Sequence, residues 1–478
     1  MHIRKSFIDL TVSERDAFLA ALLELKQKPA VESDAAKPPV FSVYDQFIAI
    51  HTAAVSVTSA INGGDSHNLG HNHPGFLPWH REFLLRIQRA LTAVDSSVVI
   101  PYWDWTARRA TMDYLFTDDF MGSIPVTTPS TPEPVKTGYF TKVAPANPPS
   151  WWPNGFQGWT IPDELWLPWE PWDGELHRRV GSEIELPTEE HIDVLMRMST
   201  YRAFWAGIEQ GIGIILGPGP LFGPTHNWMH GWVGGHMGQP MISPFDPVFS
   251  LNHAFVDYLW DSWQRRGHDG IAFYPQTDDW DGNGLPGEIP RGHLLHDSMY
   301  PWVGSKSSDY IADEERVRHF LPEVSAEDPR RPIDVLDTAN LSFDPAFNYM
   351  YQPPLPRFAK VKQILDRQTK EWETDRGRPP ELTNRHQNEL FGWADRDQLL
   401  EAEARRLPLI QPDMIGNDRA EETNLVRILR GRLRQFPRMP HNGPYMNDID
   451  INFIASWIDN GCLDDAEPPS TETVIHFA

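Results

Sequence analysis

The sequence predicts a mainly α-helical fold, in which a helical core carrying long irregular loops is followed by a small helical C-terminal domain. Three observations carry this prediction. Apolar residues recur at helical spacing in five stretches ahead of residue 270. The spacing disappears between 106 and 190, where tryptophan and proline alternate. It returns in a helix over 359–373 and in the segment 386–478.

Each element follows from its own residues. Leu10–Lys26 reads as a capped helix, because Thr11 or Ser13 can accept the first orphan N–H groups, acids follow, and apolar residues repeat with the helical period. Residues 28–40 form a loop containing proline and alanine. In the second helix, Val43–Val57, residues Tyr44, Phe47, Ile48 and His51 share one side, so His51 points inward among apolar neighbours. A glycine- and asparagine-rich loop over 62–75 leads to a third helix at Phe76–Ala93. Pro101–Trp105 (PYWDW) then makes a rigid aromatic turn after a short extended VVI.

Residues 106–190 read as long loops with short strands, in which Trp151, Trp152, Trp159, Trp166, Trp169 and Trp172 are expected to pack as structure. Helices are expected again at 191–210 and 246–266, separated by the glycine-rich 211–223 and the histidine-bearing 225–236. The expected organisation is a domain over 1–307, a linker and extended segment over 308–385, and a compact helical domain over 386–478.

With 478 residues there is chain enough for one large catalytic unit and an appendage. A formal charge of −24, from 66 acidic against 42 basic residues, argues against nucleic acid or an anionic membrane as partner. Small neutral or cationic substrates fit it, and the oligomeric state is left open. Cys462 is the one cysteine, so no intrachain disulfide, cysteine-based zinc site or iron–sulfur cluster can be built. The N-terminal stretch has no apolar h-region, and no run approaches the roughly 20 apolar residues of a membrane span. As written the chain reads as cytoplasmic, and both a leader removed earlier and export by another route are compatible with it.

The chemistry concentrates in six histidines: His51, His71 and His80 early, then His226, His230 and His253. His226 and His230 stand at i, i+4 in THNWMHGW, so both imidazoles leave one face of a helical turn. His253 opens NHAFVDYLWDSW, where Asp257, one turn on, is placed to hold an inward-facing side chain by a hydrogen bond. His80 begins the helix after FLPW, and His71 comes from the loop before it. A lone inward histidine is more often a core residue than a ligand, but two separate triads beside aromatic runs are poorly explained that way. Neutral imidazoles with no obligatory thiolate or carboxylate suit a redox-active first-row metal, and copper(II) tops the divalent affinity series. The clusters point to paired copper.

HNHPGFLPWHREFL followed by PYWDW, and HNWMHGWVGGHMGQPMISPFDPVFSLNHAFVDYLW, resemble the two copper-binding regions of the tyrosinase family, the type-3 copper proteins that include catechol oxidases and hemocyanins. The likeness covers roughly residues 1–270. It implies a four-helix bundle around a binuclear copper core, with His51, His71 and His80 on one copper ion and His226, His230 and His253 on the other. It also implies dioxygen as co-substrate and a small phenol as substrate, hydroxylated at the ortho position if a monophenol and oxidised to an o-quinone if an o-diphenol. Two alternatives stay open: a catechol or o-aminophenol oxidase inactive on monophenols, and a hemocyanin-like oxygen carrier.

The resemblance extends to residues around the ligands. Asn227 matches an asparagine that, in hydroxylating relatives, holds a phenol-deprotonating water together with an upstream glutamate; Glu209 resembles that glutamate, although 211–223 lengthens the spacing. Gly231 and Pro240 align with residues at the copper entrance, and their small size implies an open mouth; Phe249 is expected to pack beside the site. Leu69 stands where many eukaryotic relatives have a cysteine crosslinked to a copper histidine, so this sequence looks like the bacterial type. Asn252 stands where relatives often have another histidine, and His253 remains the residue that aligns with the ligand. His67 and His73 are expected to be solvated loop residues, and His236 is rejected as a ligand. FPRMPHNGPYMNDIDINFIASWIDNGC is similar to the closing helix and methionine loop of cytochrome-c-like domains, but without a CxxCH there is no covalent heme, and Met439 reads as a packed side chain. By analogy with tail domains of relatives, 386–478 is expected to act as a lid.

Overall fold

The computed structural model describes residues 1–30, 41–59, 66–124, 131–165, 174–180, 185–211, 225–276, 292–303, 310–312, 317–318, 321, 329–382 and 391–466. Helices dominate, and every described strand is two or three residues long. The chain divides into two units, Met1–Phe7 with Ser13–Gln352 and Ile8–Val12 with Pro353–Ala478.

The first unit is built on helices that follow the predicted periodicity. Helix α1 spans Val12–Gln27 and buries Phe18, Leu19, Leu22 and Leu23. Helix α2 (Val43–Val55) starts at a reciprocal capping box: the Ser42 hydroxyl accepts from Asp45 N at 3.1 Å, and the Asp45 carboxylate accepts from Ser42 N at 2.9 Å. Tyr44, Phe47, Ile48 and His51 are all buried, as their spacing predicts. The helix stops short of Val57 because Val57–Ser59 pairs instead, as the middle strand between Ser66–His67 and Tyr310–Ala312. Helix α3 spans Phe76–Val94 and tolerates Pro78 in its first turn, where no helical N–H is needed.

The expected single helix over 191–210 is two. Helix α4 (Glu189–Met196) ends, and α5 (Tyr201–Glu209) restarts after Thr200, whose backbone is extended and whose hydroxyl accepts from Ala203 N at 3.2 Å. An N-cap threonine inside an apolar periodicity breaks it into two elements. Helix α6 (His226–Val233) ends at Gly234 and Gly235, both with positive φ. A Cβ on Gly235 would lie 2.0 Å from the His177 carbonyl oxygen, so only glycine lets the chain turn there. Helix α7 (Val248–Trp263) is buried along nearly its whole length.

Helices α2, α3, α6 and α7 form the four-helix bundle. Phe47 packs edge-on against Phe83 at 5.8 Å, Phe83 against Phe249 at 5.9 Å, and Phe76 against His226 at 4.8 Å. The loops wrap this core with aromatic side chains used structurally. Trp159 is fully buried, donates to the Phe245 carbonyl at 3.0 Å and meets Tyr44 edge-on at 4.7 Å. Trp166, Trp169 and Trp172 lie outside the described residues. A parallel pairing of His2–Arg4 with Tyr349–Tyr351 closes the unit.

The second unit has its own core. Helix α8 (Phe358–Arg376) presents Phe358, Val361, Ile364 and Leu365 to side chains of α9 (Arg396–Leu400), α10 (Asn424–Leu429) and α11 (Asp448–Asp459), among them Leu399, Val426 and Trp457. Asp9 belongs to this unit: its carboxylate accepts from Leu355 N at 2.9 Å and pairs with the Arg357 guanidinium. Met439 packs against the core, partly buried. Cys462 is buried, and burial pushes its thiol pKa up. Among the described residues, no helix is long and apolar enough to cross a membrane.

Candidate metal centre

The six predicted histidines converge from five places. α2 supplies His51, the loop before α3 supplies His71, α3 supplies His80, α6 supplies His226 and His230, and α7 supplies His253. They form two groups, His51 with His71 and His80 and His226 with His230 and His253, each with one nitrogen per ring within 4.8 Å of the others. The groups adjoin, because His80 and His253 stack at 4.1 Å with only 10° between their planes. Local chemistry aims the one ligand that no helix carries: Asn68 Oδ1 accepts from Gly70 N at 3.1 Å and from His71 N at 2.9 Å, an Asx turn that fixes the loop.

The protonation of these rings is set by what their other nitrogens face. Nδ1 of His51 faces the Met241 carbonyl at 3.3 Å, Nδ1 of His80 the Phe76 carbonyl at 2.9 Å, and Nδ1 of His230 the Met237 carbonyl at 2.8 Å. A carbonyl can only accept, so each Nδ1 keeps its proton and each Nε2 presents a lone pair. His226 is treated alike by Asn227, whose Oδ1 lies 2.9 Å from its Nδ1. Burial holds His51 down to about 3 and His230 to about 4, and pushes His71, His80, His226 and His253 well below the ordinary histidine value. All six are therefore neutral at pH 7.

At His226 and His230 two lone pairs thus meet with no proton between them. The Nε2 atoms of His226, His230 and His253 lie 2.8, 3.1 and 3.3 Å apart. Nε2 of His51 and of His80 is buried with no hydrogen-bond partner among the described residues. Bare acceptors so close repel unless a cation lies among them, and neutral imidazole suits copper. The donor set fits two copper ions.

The surrounding residues are placed as follows. Phe249 is 1% exposed and touches both groups, at 5.1 Å from the His51 ring and 4.2 Å from the His253 ring. Pro240 is exposed and Gly231 half-buried. Asn252 is fully buried; its Oδ1 accepts from the Trp105 indole at 3.0 Å and its Nδ2 lies 3.4 Å from His230 Nε2. Leu69 is buried, donating its N–H to the Ala54 carbonyl at 2.8 Å. Glu209 is buried on α5; one oxygen accepts from Asn72 N at 2.6 Å and the other from the Trp205 indole at 2.5 Å. Burial raises its carboxyl to about 8 against these two hydrogen bonds, which lower it. No hydrogen bond joins Glu209 to Asn227 among the described residues.

Two expectations change. His73 is not solvated: it is 5% exposed, accepts from Gly75 N through Nδ1 at 3.0 Å, and lies against the His293 ring at 4.2 Å. The tight HPG turn folds it inward, and burial holds it at about 4. Asp257 serves no histidine; it takes Arg81 at 2.5 Å, Arg4 at 3.1 Å, and the Tyr349 and Tyr351 hydroxyls at 2.5 and 2.6 Å. Burial works against its charge, yet Arg81 and Arg4 hold its pKa below the usual carboxylate range. His293, unremarked in the sequence because it stands alone there, joins His73 beside the His71 loop. His236 belongs to neither triad; its Nδ1 accepts from His177 N at 3.0 Å. The side chain of His67 lies outside the described residues.

The chain is similar in sequence to known proteins. The family model described as the common central domain of tyrosinase matches residues 41–266. A tyrosinase of Streptomyces antibioticus is 36% identical over 334 residues, covering 68% of this chain and 100% of that protein. A tyrosinase of Streptomyces glaucescens is 35% identical over 318 residues, covering 65% and 96%. The grixazone synthase of Streptomyces griseus is 30% identical over 304 residues, covering 58% and 88%. With two adjoining imidazole triads inside the matched region, the chain belongs to the tyrosinase family and is a type-3 copper phenol oxidase, an oxidoreductase whose cofactor is a pair of copper ions.

Proposed function

We propose that the protein uses dioxygen to hydroxylate monophenols at the ortho position and to oxidise o-diphenols to o-quinones. In this reading His51, His71 and His80 hold one copper ion, and His226, His230 and His253 hold the other. The observation that carries it is the tautomer lock, in which carbonyls of Met241, Phe76 and Met237 claim the Nδ1 protons of His51, His80 and His230 and turn their Nε2 lone pairs inward. Copper, when bound, supplies the one-electron steps toward dioxygen.

The chain's own residues supply neutrality, dryness and proton handling. Six neutral imidazoles have no proton to lose on loading, and Phe249 with Phe76 packs the histidines away from water. Hydroxylation needs the phenol to lose its proton, and a free phenol has a pKa of about 10. We assign that work to Asn227 and Glu209: a carboxyl raised to about 8 is, in its ionised form, a stronger base than an exposed one. The exposed Pro240 and side-chain-free Gly231 support an open mouth that admits substituted phenols.

Oxygen uptake by the copper-loaded full chain on phenol, catechol and 2-aminophenol tests this. Uptake on catechol or 2-aminophenol with none on phenol would remove the hydroxylation and leave the narrower oxidase. Reversible oxygen binding with catechol untouched would remove the oxidase altogether.

A further inference from the structure

The second unit carries a half-open cavity of about 370 Å³ that the copper chemistry does not use. That volume falls within the roughly 300–1,000 Å³ of small-molecule sites. Its walls are aromatic and aliphatic, including Trp372, Trp393, Phe391 and Phe436. Three of those four, Trp372, Trp393 and Phe436, are only half-buried, so the cavity leaves their faces unfilled.

Several polar groups in the wall are already committed elsewhere. The Trp372 indole donates to the His441 carbonyl at 3.2 Å and the Trp393 indole to Asp366 at 2.9 Å. Gln368 donates to the Pro444 carbonyl at 3.0 Å, and the Thr369 hydroxyl to the Leu365 carbonyl at 2.8 Å. Arg378 lies 3.5 Å from Glu381. Arg405 differs. Its guanidinium carbon lies 5.9 Å from the Phe436 ring centroid, and among the described residues it has neither an ion pair nor a side-chain hydrogen bond.

The backbone places Arg405 there at a conformational cost. Glu403–Ala404 and Leu407–Pro408 pair as a hairpin whose two connecting residues, Arg405 and Arg406, both have positive φ, at 53° and 67°. Such turns favour Asn-Gly, and two arginines in one are strained. In a chain of net charge −24, the exposed Arg405 guanidinium beside an aromatic cavity favours an anionic aromatic ligand.

We propose that this cavity binds a flat aromatic carboxylate, its rings between the indole and phenyl walls and its carboxylate on Arg405. The body of such a ligand asks nothing of the committed polar groups, and its single charge meets the Arg405 guanidinium. This site is separate from the copper centre and does not depend on the reading of that centre.

The test is isothermal titration calorimetry on the full chain without copper, using 2-naphthoate and its cationic counterpart 2-naphthylmethylamine. We expect saturable one-site binding of the acid and about tenfold weaker binding of the amine. Arg405→Glu should weaken the acid about tenfold while Arg405→Lys retains most of it. Thr369→Trp, placed on a half-buried wall position, should block binding by bulk. Unfolding curves establish that each variant is folded. Absence of saturable heat at millimolar acid, equal binding of acid and amine, or unchanged binding in a folded Arg405→Glu or Thr369→Trp variant would each overturn the proposal.

Discussion

Arg81 donates through Nε to Oδ1 of Asp257 at 2.5 Å, and neither side chain is more than 3% exposed. Arg81 follows His80 on α3, and Asp257 lies one turn beyond His253 on α7. One buried ion pair thus sets the spacing between helices that each carry a ligand to a different triad. Asp257 also neutralises Arg4, whose guanidinium lies 3.9 Å over the Tyr349 ring. Replacing it with asparagine leaves two buried guanidinium groups without a counter-charge. Asp257→Asn should cost roughly 3–5 kcal/mol of stability in a urea titration. A loss under about 1 kcal/mol would mean the network is incidental.

His253→Ala should lower copper from two ions per chain to one, because it removes a nitrogen from one triad alone. Atomic absorption gives the count, and oxygen uptake on catechol should vanish with it. Undiminished copper or retained uptake would break the ligand assignment.

Asn227 fixes the His226 tautomer through its Oδ1 at 2.9 Å. Asn227→Ala removes that acceptor, and loss of such an outer partner typically weakens metal affinity by about 10–100-fold. Asn227→Asp restores an acceptor and should recover most of the affinity in a chelator competition. Equal affinities in all three proteins would show that the bond does not orient the ring.

Glu209 has a folded-state pKa of about 8, raised by burial from an ordinary 4.5. Between those values the folded protein binds more protons than the unfolded chain, so its contribution to stability is full below about pH 4.5 and is lost as pH rises through about 8. Glu209→Gln removes the titration while keeping an oxygen for Asn72 N, so it should flatten the stability profile across that window. A variant whose profile falls as steeply as the parent's would place the titration elsewhere. On phenol, the same variant should lose turnover more than it does on catechol.

Much of the bundle could be read from the chain because its signals are local. His226 and His230 announce themselves by their i, i+4 spacing, and Tyr44, Phe47, Ile48 and His51 by a shared helical face. The break between α4 and α5 also has a local signal, since Thr200 is an N-cap inside an otherwise apolar pattern. What escaped was contact across long separations. Glu209 meets Asn72 across 137 residues, and Asp257 meets Arg4 across 253. No periodicity encodes either pair. His73 escaped for a related reason: the loop composition signals solvent, and only its packing against His293 takes it inside.

The parallel pairing of His2–Arg4 with Tyr349–Tyr351 also bears on how the protein is made. Arg4 reaches Tyr351 across 347 residues, so the earlier strand of the pair waits on the ribosome for one that emerges far later. At about 5–20 residues per second, that delay is on the order of tens of seconds. Asp257 is made 92 and 94 residues ahead of Tyr349 and Tyr351, and over that last part of the interval it has Arg4 and Arg81 but neither tyrosine hydroxyl. Nascent chains arrested before Tyr349 should therefore stay open to proteases at α3 and α7, and protection should arrive abruptly once the late strand is free to dock.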